Sequence, residues 1–233
     1  MFSFLIKLID SVVWPALLVV SIWIVFFVNL RYQLDLNSYG LHPHKWDDLY
    51  GVVTMIFLHG NFDHLLSNSI PLLLSMGFIF INFSEERASI IVSNILATGI
   101  ILFFIGQPGS NHIGASGLVY ALIFFVVTHS FFTSNKKMLA ASFTLIFLYG
   151  SLIYGLFPEF GKLIGKNISW EGHLSGAISG IIFGVLYRNR GPQKPPPLDD
   201  DFDDFEDEYW NSTDIDDQEG LNTHIQYIYK KKD

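Results

Sequence analysis

The chain has 233 residues, half of them hydrophobic, with 22 phenylalanines and a mean hydropathy of +0.37, far more apolar than a soluble domain of this size needs. It has no cysteine, which excludes both disulfides and thiolate metal sites as supports for the fold. Its formal charge of −8 belongs to one end: residues 1–189 carry 9 Lys/Arg and 9 Asp/Glu, whereas residues 190–233 carry 5 and 13.

A membrane-spanning helix needs about 20 mostly apolar residues. Six runs meet or approach that length, at about Val12–Leu30, His64–Ile81, Ala88–Gly106, Ser116–Phe132, Met138–Phe157 and Glu171–Tyr187. The first is longer than the roughly 7–15 apolar residues of a signal peptide and no small-residue cleavage site follows it, so it is expected to stay in the mature protein. The expected organisation is a cytoplasmic N-terminus over residues 1–11, a six-span core over 12–190, and a disordered acidic tail over 191–233. The tail opens with GPQKPPPL, continues as DDDFDDFEDEYW and ends in KKK, a composition that cannot bury enough apolar surface to fold alone. Its aromatic residues leave room for a cytoplasmic docking partner. No nucleic acid is expected among the partners.

Basic residues near the span ends set orientation. With the N-terminus inside, Lys7, Arg87, Lys136, Lys137, Arg188, Arg190 and Lys194 face the cytoplasm, against Arg31, Lys45, Lys162 and Lys166 outside. Spans two, four and six then all enter from the outer side. Their N-terminal ends carry His64 and Asn68 in HLLSN, Ser116 in GASG, and His173 in GHLSG. Polar side chains inside spans are costly and face a bundle interior or an aqueous cavity. Three distant pieces of sequence thus bring polar groups to one depth.

His64 and Asn68, four residues apart, share a helical face and can offer two donors to one point. Ser116 begins its helix, where unpaired N–H groups and the positive dipole end favour a nearby anion. Tyr120, one turn on, is placed to pack against an imidazole. Gly172, Gly176, Gly180 and Gly184 form a small-residue stripe on span six, and Gly117 with Ala121 a shorter one on span four. Such stripes let two helices approach to backbone contact. If they meet, Ser116 and His173, each one residue from its stripe, come within hydrogen-bond reach. A serine beside a histidine can form an acyl-enzyme, the imidazole taking the hydroxyl proton and returning it to the leaving amine. Asp63 adjoins His64 and Glu171 lies two residues before His173, offsets that point each carboxyl elsewhere on its helix, which favours a two-residue dyad.

In LHGNFDHLLSN (Leu58–Asn68), GASGLVYAL (Gly114–Leu122) and GHLSGAISG from Gly172, in that order, the sequence resembles the rhomboid family of intramembrane serine proteases. The resemblance covers about Val12 to Tyr187 and not the tail. It implies an all-α, six-transmembrane-helix bundle in the lipid bilayer, with Ser116 as nucleophile, His173 as general base, and His64 and Asn68 supporting an oxyanion. It implies cleavage of transmembrane protein substrates near the outer membrane face, with neither metal nor organic cofactor. His59 matches a further family histidine with a supporting role. The first loop reads GLHPHKWDDLYG and lacks a clear W-R pair; from the family it is expected to lie partly in the outer leaflet, with Pro158–Trp170 as a movable cover. A bacterial plasma membrane is expected from the compact six-span form.

Each signal has a packing explanation of its own. Serine and glycine at span starts serve helix contact, and a lone buried histidine is usually a satisfied core residue. Packing alone gives no reason for three polar sites to align at one depth. His42, His44, His112, His129 and His224 have no partner at ligand spacing and are expected in loops or interfaces; HPH with Asp47 and Asp48 is a weak metal signal. The rival from another class is a catalytically silent rhomboid-like membrane chaperone or quality-control binding protein. Relatives of that kind typically lack the serine or the histidine, and this chain has both.

Overall fold

The structure is a computed structural model and describes residues 2–148, 154–157, 159 and 169–193. Among them the chain is helical and has no strand. Seven α-helices appear: α1 (Phe2–Tyr32), α2 (Gly51–Thr54), α3 (Phe62–Asn82), α4 (Arg87–Ile105), α5 (Ser116–Thr133), α6 (Lys136–Leu148) and α7 (Trp170–Leu186). Helix α1 begins ten residues before the first apolar run. The acidic tail from residue 194, and most of the expected cover at 158–170, lie outside the described residues.

Among the described residues, four helices are long and apolar enough to cross a membrane: Ile9–Tyr32 within α1, then α3, α4 and α5. Helix α7 has 17 residues, about 26 Å at 1.5 Å per residue, shorter than a ~30 Å hydrocarbon core. The expected fifth span, 138–157, is described as helix only to Leu148. Large apolar side chains face outward along these helices, among them Val20, Ile24, Phe104 and Phe147. Such faces suit lipid.

Helix α5 is apolar on every side and two-thirds buried, whereas the span in α1 is 22% buried. A helix apolar all round belongs inside a bundle, and α5 is accordingly the element around which α3, α4, α6 and α7 gather. On one flank the indole N–H of Trp23 in α1 donates to Ser69 Oγ in α3 at 2.8 Å, and Arg87 pairs with Asp10 at 2.9 Å near the cytoplasmic ends in the expected orientation. On the other, Ser179 in α7 donates to Asn94 Oδ1 in α4 at 2.9 Å, both side chains fully buried. Interhelical hydrogen bonds in lipid contribute roughly 0.6–2 kcal/mol, so Ser179→Ala is expected to lower unfolding stability by about that much, measured by denaturant titration in detergent micelles.

The first loop is less polar in place than in sequence. Leu41, Val52, Met55, Ile56 and Leu58 are buried, and α2 lies so close to α4 that a Cβ on Gly99 would come within 2.6 Å of Val52. The HPH and Asp-Asp cluster forms an ion pair instead: Asp48 meets Lys45 at 2.8 Å and His42 at 3.1 Å. The hydrogen bond from Lys45 holds the Asp48 carboxyl below the usual carboxylate range, with Tyr50 and His42 assisting. At the opposite end of the bundle, residues 190–193 are tied down: Asn135 Nδ2 donates to the Gln193 carbonyl at 3.0 Å, and His129 Nε2 lies 2.8 Å from the Arg190 carbonyl.

Candidate active site

Asn61 caps α3, its Oδ1 accepting the His64 N–H at 2.8 Å, and this capping bond sets where the helix begins. His64 therefore lies in the first turn and Asn68 one turn further. Asn68 Nδ2 donates to His59 Nε2 at 3.1 Å, and the His59 and His64 rings are 5.0 Å apart. Burial, with the His64 imidazole adding to it, lowers His59 to about 4. His59 is thus neutral near pH 7 and its Nε2 lone pair can accept. An amide nitrogen carries two hydrogens, so one remains for another acceptor.

The loop entering α5 passes against both side chains. A Cβ on Gly114 would come 2.6 Å from His64 Nε2 and 3.5 Å from Asn68 Nδ2. Gly114 also has φ +116, a conformation that L side chains rarely adopt. Glycine is required there on both counts. Its N–H donates to the Met55 carbonyl at 2.8 Å, which secures the loop two residues before Ser116. The residue before the serine, Ala115, provides no side-chain cap, so first-turn N–H groups of α5 remain for an acceptor.

Helices α5 and α7 meet along their small-residue stripes. A Cβ on Gly176 would strike the Gly117 carbonyl, one on Gly180 the Ala121 carbonyl, and one on Gly117 would lie 3.2 Å from the Gly172 carbonyl. Ser116 and His173 adjoin residues of this seam, and both are half-buried. No Ser116–His173 hydrogen bond is among those of the described residues; catalytic contacts in unliganded sites are often long and tighten only with substrate. Overpacked cores lose about 1–3 kcal/mol. Gly176→Ala is expected to show such a loss of unfolding stability in denaturant titration, because its methyl group must push α5 and α7 apart.

The His173 ring stacks on Tyr120 with centroids 4.2 Å apart and planes 8° from parallel. Its Nδ1 lies 2.9 Å from the Gly155 carbonyl oxygen. A carbonyl only accepts, so Nδ1 carries the proton and Nε2 keeps its lone pair. A carboxylate would orient an imidazole in the same sense; here a backbone oxygen does so. A Cβ on Gly155 would strike the Tyr120 hydroxyl and lie 2.9 Å from His173 Nδ1. Sequence reasoning missed Gly155, because a carbonyl is common to every residue and leaves no sequence signal. It also missed the Asn61 cap, although an asparagine just before an apolar-periodic run is a recognised helix-start signal.

A family model described as the Rhomboid domain matches residues 47–190. An uncharacterized protein of Mycobacterium tuberculosis (strain ATCC 25618 / H37Rv) is 35% identical over 151 residues, 62% of this chain and 61% of that protein. One from Mycobacterium leprae (strain TN) is 33% identical over 153 residues, 63% and 59% of the two chains. The chain spans about three fifths of the length of these curated relatives.

Proposed function

Given that this chain belongs to the rhomboid family and is an integral membrane protein, we propose that it is an intramembrane serine endopeptidase acting through Ser116 and His173. The observation that carries the reading is the His173 imidazole, stacked on Tyr120 and tied through Nδ1 to the Gly155 carbonyl. Its basic Nε2 is thereby kept available beside the seam at which α5 presents Ser116.

In the proposed reaction Ser116 Oγ attacks a peptide carbonyl carbon while His173 Nε2 takes the hydroxyl proton. The oxyanion that forms is met by the second Asn68 Nδ2 hydrogen, by His64 and by the Ser116 N–H. As the carbon–nitrogen bond breaks, His173 returns its proton to the departing amine and leaves Ser116 acylated. Water, deprotonated by the same nitrogen, then releases the acid and restores the serine. Support for the oxyanion roles comes from the packing of His64 and Asn68 on Gly114, two residues from Ser116.

With α6 and α7 as fifth and sixth spans, the proposed topology has both termini in the cytoplasm of a bacterial cell and the site open near the outer face of the plasma membrane. Substrates are transmembrane proteins whose helices unwind near that face, since a continuous helix keeps its carbonyls in backbone bonds. The acidic tail is proposed to meet a cytoplasmic partner. A serine-directed fluorophosphonate probe tests the nucleophile: labelling of the native protein lost in Ser116→Ala supports the protease, and equal labelling of both places the reactive group elsewhere. Binding of a reporter span without labelling or cleavage would favour a silent binding protein on the same fold.

A further inference from the structure

His112 belongs to no helix, yet it is buried and bonded on all sides. Its backbone forms an antiparallel bridge with Leu41, both N–H to carbonyl distances being 2.9 Å. Ring Nε2 lies 2.8 Å from Ser110 Oγ, and ring Nδ1 lies 2.6 Å from Ser169 Oγ. Ser169 is the N-cap of α7, four residues before His173.

The direction of each bond follows by elimination. Ser110 gives its hydroxyl proton to the Gln107 carbonyl at 2.6 Å, so its oxygen must accept from His112 Nε2–H. Neutral His112 then has its lone pair on Nδ1 and accepts the Ser169 hydroxyl proton. Ser169 Oγ in turn accepts the Gly172 N–H at 3.2 Å, and the Ser169 carbonyl accepts the His173 N–H at 3.1 Å. Burial pushes His112 below its ordinary range, the Glu171 carboxylate opposing this and the His42 imidazole adding to it, in keeping with the neutral ring. Every donor in the chain from Gly172 to Gln107 has one acceptor.

We propose that His112 is a positioning residue for His173: through Ser169 it pins the first turn of α7 to the loop before α5, and so holds the imidazole in register with Ser116. The proposal rests on the protease reading. Its physical basis is that a catalytic group displaced by about 1 Å can lose up to about 10²-fold in rate, and the first turn of a helix frays unless its N–H groups are held.

The test uses the full-length protein with two readouts, turnover of a reporter transmembrane segment and amide hydrogen exchange at Gly172 and His173. His112→Ala and Ser169→Ala are each expected to lower kcat about tenfold with KM little changed and with faster exchange at both amides. The double variant should be no slower than Ser169→Ala alone, because the effect of His112 on α7 passes through the Ser169 hydroxyl. His112→Asn, which keeps an acceptor near the place of Nδ1, should restore most of kcat and the exchange protection. Unchanged kcat in His112→Ala overturns the proposal, as does a His112→Asn variant that is as slow as His112→Ala while melting at the native temperature. If the native protein shows no Ser116-dependent turnover, the protease reading fails separately. Exchange at the two amides then decides, with unchanged rates in His112→Ala overturning the proposal and faster rates upholding the pinning of α7.

Discussion

Cleavage of a reporter transmembrane segment is expected to fall to background in Ser116→Ala and by about 10²–10⁴-fold in His173→Ala, the usual share of a positioned general base. Serine hydroxyls are weak nucleophiles at neutral pH, so without a base the attack must expel its proton to solvent. His173 can act as that base because its Nδ1–H donates a hydrogen bond to the Gly155 carbonyl, which leaves the Nε2 lone pair free to accept. Removing the ring also leaves a slot against Tyr120, whose face it covers at 4.2 Å. Added imidazole should enter that slot and restore part of the rate to His173→Ala but none to Ser116→Ala. Cleavage at the native rate in Ser116→Ala would remove the proposed mechanism altogether. Equal melting temperatures in the native and Ser116→Ala proteins separate lost chemistry from lost fold.

Loss of one oxyanion donor costs about 10²–10³ in kcat, and Asn68→Ala is expected to show it with KM nearly unchanged. The donor is charged with a task in the transition state that the ground state does not need, which is why kcat rather than KM should respond. Asn68 also bonds to His59 at 3.1 Å, so a purely structural loss has to be separated from a catalytic one. Asn68→Asp makes that separation. Its carboxylate can keep the His59 contact if the imidazole places its proton on Nε2, but it offers no hydrogen to the oxyanion and adds a negative charge beside it. The expected result is a kcat at or below that of Asn68→Ala in a protein that still folds; native turnover in Asn68→Asp would dismiss the oxyanion role.

Much of the architecture was legible because lipid imposes a simple rule. Backbone groups in the bilayer must be satisfied within a helix, so apolar runs translate directly into helices, and α3, α4 and α5 lie close to the runs His64–Ile81, Ala88–Gly106 and Ser116–Phe132. The contact between α5 and α7 was legible for a related reason. Glycine every fourth residue can serve only one face, and Gly117, Gly176 and Gly180 lie on the seam between those two helices. The first loop was less legible: nothing in GLHPHKWDDLYG says that Leu41 is fully buried and held by a bridge to His112 from beyond α4.

Composition, period and the order of motifs by themselves determined a helical membrane body and the helix on which each polar residue sits, because these depend on neighbours one to four positions away. The tertiary structure alone decided which nitrogen of His173 bears its proton, which partner holds Asn68, and how His112 reaches the cap of α7. Those outcomes depend on hydrogen bonds between groups 9 to 57 residues apart in the chain. One of the decisive partners is a backbone carbonyl, a group every residue possesses, so its role arises only from where the folded chain places it.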